Sequence, residues 1–389
     1  MNTAEHSPRV IELLPDELLE TLRDRAAGYD ERNEFFTQDL EDLKAAGYLT
    51  MLVPEEFGGQ GFTLQEVSRA QRRLAQAAPA TALGVNMHHV IMGVAYTMWL
   101  RGIDTLNWVF EDAVDGDIFA FGISEGGNDA VLFDSVSTAD PTDDGGYTVT
   151  GTKIFTSLSP VWDKLLVHAR LSDKDELVFG FIERGAEGIE IKNDWNTLGM
   201  RASQSCTTKL HEVAMKPAHV GAHTPLGPNP DPLVFGIFGP FELLLASVYA
   251  GIGERAVNLA VEITGKRRSH VNNAPYSHDP DIRWQIADAG ILMDGVLLQL
   301  DKLTDDVDHL TERDYGSKWF LHFSGVKNRA TEAAKEAVEL AIRTTGGAQY
   351  FRTSELQRLY RDVLAGLYHP SDNESLHASY AKALLGPVN

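Results

Sequence analysis

The stretch Thr344-Thr-Gly-Gly-Ala-Gln-Tyr-Phe351, continued by Arg358-Leu-Tyr-Arg-Asp362 and Leu367-Tyr-His-Pro-Ser371, decides how the rest of the chain is read. Gly346 and Gly347 come straight after a long helical pattern, where a backbone without Cβ atoms can turn sharply and approach a ligand closely. A second helical run follows from Ser354 to about Leu367 and is stopped by Pro370. The order is therefore helix, double-glycine turn, a short helix carrying two arginines and an aspartate, and an aromatic turn.

Working outward, the 389 residues exceed what one hydrophobic core usually organises, so two or three packed units are expected. Hydrophobic and charged contents of 43% and 23% are ordinary for a soluble globular protein. A formal charge of −22 excludes a nucleic-acid partner, which would need a basic face; a polyanionic coenzyme A would need a local basic patch. The single cysteine, Cys206, excludes an internal disulfide and a multi-cysteine metal site, so no metal is expected. Cys206 is read as a small buried hydrophobe. Met1 to Arg9 lacks the charged-then-apolar pattern of a secretion signal, and no uninterrupted apolar run reaches transmembrane length. The expected setting is cytoplasmic, away from the membrane.

Residues 1–118 read as an N-terminal helical domain. Phe36, Leu40 and Leu43 recur at helical spacing, Gly47 closes that helix, and Thr63 with Glu66 makes a capping box after the turn-rich Pro54-Glu-Glu-Phe-Gly-Gly59. Residues 119–224 change period. Ile118–Ile123, Gly146–Gly151, Lys164–Ala169, Glu176–Ile182, Ile189–Ile191 and Thr208–Val213 are rich in β-branched or aromatic residues and read as strands of a middle β-barrel or sandwich. Four prolines between Pro225 and Pro232 mark the exit. Residues 225–389 read as a C-terminal helical bundle, with Leu243, Ala246, Ala250 and Gly253 on one face and a last helix from Glu374 to Leu385.

Taken together, these segments resemble the acyl-CoA dehydrogenase superfamily. The resemblance implies an α+β, mainly α fold: N-terminal helical domain, middle β-domain, C-terminal four-helix bundle. It also implies FAD (FMN the alternative) between the last two, a tetramer or dimer, and an electron-transfer flavoprotein or flavin reductase as redox partner. In the family a loop like Gly122-Ile-Ser-Glu-Gly-Gly-Asn-Asp129 carries flavin contacts. The resemblance thus implies cofactor roles for Phe121, Ile123, Ser124 and Asn128, the last two toward ring and pyrophosphate. Gly151-Thr-Lys-Ile-Phe-Thr-Ser157 follows at family spacing and puts Phe155 and Ser157 beside the isoalloxazine, with Leu158 replacing a usual asparagine. Arg267 and Ser269 match pyrophosphate contacts made across a subunit boundary. Arg343, Gly346 and Gly347 match a Gln-x-x-Gly-Gly segment that meets FAD from a neighbouring chain. Ser371 falls in the same cofactor-side signature. His88 and His89 are either histidines of a helix core or, as in related oxygenases, one of them faces the pocket. Arg201, in Leu198-Gly-Met-Arg-Ala-Ser-Gln-Ser205, is either a pocket or coenzyme contact or a surface turn cap.

The family's dehydrogenation needs a carboxylate to remove an acidic α-proton while the flavin takes the β-hydride. One location for that carboxylate, seven residues beyond Arg361-Asp362, here carries Tyr368-His369-Pro370. At the other, Phe241 stands at the base position and Glu242 one residue, about 100° of helix, later; Glu242 is either that base or a carboxylate complementing a helix dipole. Glu374 is a poorer candidate. Flavin monooxygenases of the same fold carry a histidine at the position of His369, where an imidazole can act as a base near neutral pH; the plain alternative is a histidine filling a turn. The expected function is FAD-dependent α,β-dehydrogenation of an acyl thioester (acyl-CoA) through Glu242. The alternatives are a flavin monooxygenase using His369 with Ser157, or a catalytically silent flavoprotein subunit.

Overall fold

The computed structural model describes residues 7–387; most of the Met1–Arg9 stretch read for a secretion signal lies outside them. Six helices come first: α1 (Pro8–Leu13), α2 (Asp16–Arg32), α3 (Thr37–Ala45), α4 (Leu64–Ala75), α5 (Pro79–Leu100) and α6 (Asn107–Val114). The capping box is present: Thr63 Oγ1 accepts from Glu66 N, and the Glu66 carboxylate accepts from Thr63 N. Helix α5 is buried along nearly its whole length because its sequence is apolar on every side.

The strands β1 (Phe119–Gly122), β2 (Thr138–Pro141), β3 (Tyr147–Thr156), β4 (Lys164–Leu171), β5 (Glu176–Glu183), β6 (Ile189–Ile191), β7 (Cys206–Met215) and β8 (Val220–Pro225) follow. They form one eight-stranded sheet in the order β6-β7-β3-β2-β4-β5-β8, with β1 parallel to β4. Strands β4 and β5 are buried on both faces and read as continuous apolar runs. Two strands escape the sequence pattern: β2 is short, polar and ends in a proline, and β8 is an edge strand running into Pro225.

Four helices make the bundle: α7 (Pro232–Lys266), α8 (Pro280–Asp308), α9 (Lys318–Thr345) and α10 (Glu355–Val363), with a small hairpin of β9 (Arg268–Ser269) and β10 (Ala274–Pro275) after α7 and a closing α11 (Asn373–Leu385). Helix α7 packs on α4, α5, α8 and α9 and so joins the two helical regions. It corrects the expectation that no segment reaches membrane-spanning length: α7 is long and apolar enough by composition. Its apolar window is 89% buried inside the protein, so the hydrophobicity serves the core. Pro240 sits inside α7 and withholds an N–H from the preceding turn, immediately before Phe241 and Glu242.

Candidate active site

A cavity of about 1050 Å³ opens between the first strands of the sheet, α7, α9 and the turn that follows α10. Ligand pockets usually measure roughly 300–1,000 Å³, so there is room for a large planar group and a second small molecule together. The walls are mainly apolar. Phe121 of β1 stacks on Phe241 of α7 at 5.2 Å, and Phe238 meets Phe320 at 5.0 Å. Val131, Phe155, Met200 and Ser371, all on the wall, have positive φ of 50–58°. Such conformations are costly for non-glycine residues and concentrate where function over-determines the backbone.

On the sheet side, Ser157 Oγ is 2.7 Å from Ser205 Oγ, which is 2.9 Å from Ser203 Oγ. Phe155 is 56% exposed and meets the Trp195 ring edge-on at 6.2 Å. Ser124 lines the cavity, and its carbonyl is pinned by Ile154 N at 2.9 Å. Behind the loop, Glu125 accepts from Lys153 Nζ at 2.7 Å, from Ser135 and Ser137 hydroxyls, and from the N–H groups of Val136 and Ser137. Burial alone would raise the Glu125 pKa, but Lys153 and these donors outweigh it and bring it down to about 2. Burial lowers Lys153 itself to about 8.

On the helical side stand Glu242, His369 and Ser371. Glu242 is fully buried; Oε1 accepts from Ser371 Oγ, which is 2.9 Å from Ser324 Oγ, while Oε2 has no partner. Burial raises the Glu242 pKa, offset in part by the Lys327 ammonium and the Ser371 bond. Lys327, also buried, donates to the carbonyls of Gly366 at 2.8 Å and His369 at 3.0 Å, with Ser371 O at 3.5 Å, and so clamps the turn. His369 is half-buried on the cavity wall, and its Nδ1 lies 2.8 Å from the Tyr249 hydroxyl. Tyr249 is completely buried, and its pKa is raised by burial, so its phenol keeps a proton that needs an acceptor. Nδ1 is that acceptor, which leaves the proton of neutral His369 on Nε2. Burial, and then the nearby Lys327, lower the His369 pKa and keep the ring neutral.

Other expected site residues sit elsewhere. His88 and His89 do not line the cavity. His88 Nε2 meets Leu49 O at 2.9 Å and its Nδ1 accepts from Phe119 N at 3.1 Å, so the ring joins three segments of core, and burial lowers its pKa to about 4. His89 is buried against Tyr48 with both ring nitrogens unbonded, and burial pushes its pKa well down. Arg201 is likewise structural: Nε donates to Asp30 O at 2.7 Å and Nη1 to Thr197 O at 3.1 Å. Asn128 lines the cavity, but its amide is spent on Glu125, Val131 and Asp134, and its carbonyl accepts from Ala130 N, so it shapes the loop instead of reaching outward. Ile123 is buried beneath the wall. Arg267, Ser269, Arg343, Gly346 and Gly347 gather at the other end of the bundle, off the cavity wall. Arg267 bonds Thr345 O and lies over Tyr276, and a Cβ on Gly346 (φ 82°) would stand 2.9 Å from Arg267 Nη1. Ser269 Oγ accepts from Asn272 N, and Arg343 is exposed.

Sequence reading missed Tyr249, Lys327, Lys153 and Glu125. Tyr249 lies seven residues after Glu242, on the same face of α7, which was a usable signal. Lys327 was also visible in principle, as a cation on the apolar face of α9 with Phe323, Ala330 and Ala334.

A helical domain, a middle sheet and a helical bundle enclose the aromatic cavity in a three-domain architecture. Family models for the acyl-CoA dehydrogenase N-terminal, middle and C-terminal domains match residues 12–102, 120–213 and 243–373. The chain belongs to the acyl-CoA dehydrogenase family. Protein YdbM of Bacillus subtilis (strain 168), whose name assigns it provisionally to the acyl-CoA dehydrogenases, is 27% identical over 381 residues, covering 92% of each chain. Dibenzothiophene monooxygenase of Mycolicibacterium goodii is 29% identical over 381 residues, covering 89% of this chain and 85% of its own. The FMN-bound structure of TdsC from Paenibacillus sp. A11-2 superposes with a TM-score of 0.85 at 20% identity over 98% of each chain.

Proposed function

We propose that this protein is a flavin-dependent monooxygenase built on the acyl-CoA dehydrogenase fold, with His369 as its catalytic imidazole. The observation that carries the reading is His369 itself: a neutral ring on the cavity wall, its Nδ1 accepting from Tyr249, its Nε2–H free to donate. The likeness to dibenzothiophene monooxygenase along most of both chains supports it. The residues present fit a flavin. The cavity has the volume, Ser124 and Ser157 offer hydroxyls on the sheet side, and the strained Phe155 presents an exposed ring face for stacking. A flavin held there supplies the two-electron reduction of dioxygen that a hydroxylation consumes. FMN is the proposed form, as in the TdsC structure.

In this reading Tyr249 fixes the imidazole tautomer and Lys327 holds the turn that carries it. His369 Nε2–H donates to the reacting oxygen, Ser157 orients through Ser205, and the aromatic walls exclude water. His369→Ala is expected to lower substrate-dependent oxygen uptake with reduced flavin by roughly 10²–10⁴-fold while flavin content stays unchanged; full activity in that variant would overturn the reading. Cofactor released by heat and separated by chromatography tells FMN from FAD.

Dehydrogenation of an acyl thioester by Glu242 is the second reading, favoured by the raised pKa of this wall carboxylate. Arg361 is the one lysine or arginine on the wall and Asp30 already binds it bidentately, so in either reading the phosphate end of the bound molecule would lie off this wall. Anaerobic bleaching of the bound flavin by acyl-CoAs of graded length would establish this second reading and displace the first.

A further inference from the structure

Charge on the cavity wall is one-sided. Glu125 is neutralised by Lys153, and Arg361 by Asp30. What remains are Asp129, Glu242, Asp372 and Glu374, with no unpaired lysine or arginine facing them. Lys327 stands behind Glu242, but its N–H groups are committed to backbone carbonyls. In a low-dielectric, aromatic-walled space this arrangement repels anions and favours a cation.

The second observation is independent of that count. Glu242 is 0% exposed, it lines the cavity, and its Oε2 has no hydrogen-bond partner, whereas Oε1 is bonded by Ser371. A buried carboxylate oxygen left open costs stability unless a ligand or a proton completes it. Around it, Phe121 and Phe241 form an aromatic stack on the same wall, and Phe238 pairs with Phe320, faces suited to an ammonium group or its carbon body.

We propose that the substrate carries a basic amine nitrogen on an apolar body, and that Glu242 Oε2 accepts an N–H from it. The amine enters as ammonium, drawn past Asp372 and Glu374. Its proton then moves to Oε2; the N–H electron pair stays on nitrogen as a lone pair, and the charges of both groups vanish together. No oxidant takes part in that step. The outcome is a neutral nucleophilic nitrogen inside the cavity, the form that an oxygen-transfer reaction requires. The inference rests on the oxygenation reading only for what happens to that nitrogen next; the ligand preference stands or falls on binding.

The test uses the full-length protein with its cofactor and three probes of similar shape: 2-phenylethylamine, neutral propylbenzene and anionic 3-phenylpropionate. Binding is read by quenching of tryptophan fluorescence, since Trp195 lines the cavity. The amine is expected to bind at least about tenfold tighter than propylbenzene, and 3-phenylpropionate weakest. In Glu242→Leu the amine should fall to within about twofold of propylbenzene, with propylbenzene itself unmoved. Should that variant not fold, Glu242→Gln, nearly isosteric and uncharged, should erase the same advantage. Equal binding of amine and propylbenzene in the native protein overturns the proposal, as does an amine preference that survives loss of the Glu242 charge. Absence of oxygen uptake alongside an intact amine preference would sink the oxygenase reading alone.

Discussion

Two buried lysine–carboxylate pairs border the cavity, and they behave in opposite ways. Lys153 and Glu125 touch at 2.7 Å, and the remaining lone pairs of Glu125 find donors in Asn128 and in the loop between Ser135 and Ser137. Lys327 and Glu242 do not touch: the lysine spends its hydrogens on the turn at 366–371, and the carboxylate keeps one bond. The Glu125 pKa is brought down to about 2 and that of Glu242 goes up. Burial is common to both; the number of hydrogen bonds to the charged form differs. A fully satisfied pair is scaffold, whereas a half-satisfied one is a place where protons can move.

The comparison breaks most visibly at the scaffold pair. Glu125→Ala leaves the Lys153 ammonium buried without a counter-ion, and the expected loss is about 3–5 kcal/mol, read as a lowered midpoint in a urea titration. The pH dependence has a definite sign. With a folded pKa near 2 and an ordinary value of 4.5, Glu125 contributes stability above pH 4.5 that fades as pH falls toward 2. Glu125→Gln should flatten that acid limb.

Lys327→Met comes next. Removing the donor leaves the carbonyls of Gly366 and His369 without it, costing about 2–4 kcal/mol. It also frees the turn holding His369, so oxygen-dependent turnover should fall more than substrate binding does. Retained turnover with lowered stability would make Lys327 purely structural and erase its difference from Lys153.

The same contrast explains what could be read from residues alone. The family fold was legible because its cues are local: the Thr63–Glu66 capping box, the alternating or apolar runs of β3 to β5, and the glycines after α9. Strand β2 was not, because Thr138-Ala-Asp-Pro141 has no pattern of its own and exists through pairing with β3 and β4. Within the site, Phe155, Ser157, Glu242 and His369 were named in advance and line the same cavity, the first two from the sheet and the last two from the helices. Where a histidine points depends on distant partners: His88 is committed to Leu49 and Phe119, 39 and 31 residues away, and no window of sequence carries that information. Arg201 takes its turn-capping alternative, with Nε bound to Asp30 O 171 residues away, whereas Asn128 is tied up inside its own loop by Asp134 O.

The smallest expected effect is the sharpest discriminator, because it has the opposite sign. The folded-state pKa of Glu242 is raised, so between its ordinary value of 4.5 and that higher value the native state holds more protons than the unfolded chain. Its contribution therefore declines as pH rises through that window, where that of Glu125 has already reached its full value. Glu242→Gln removes the cost of a half-satisfied buried charge and should raise stability by about 1 kcal/mol at pH 8, with no gain at pH 4, where Glu242 is already protonated. Matched urea titrations at the two pH values measure this. A variant that is less stable at pH 8 would mean that Glu242 is held by its neighbours as firmly as Glu125 is, and that its buried Oε2 is not open to a ligand.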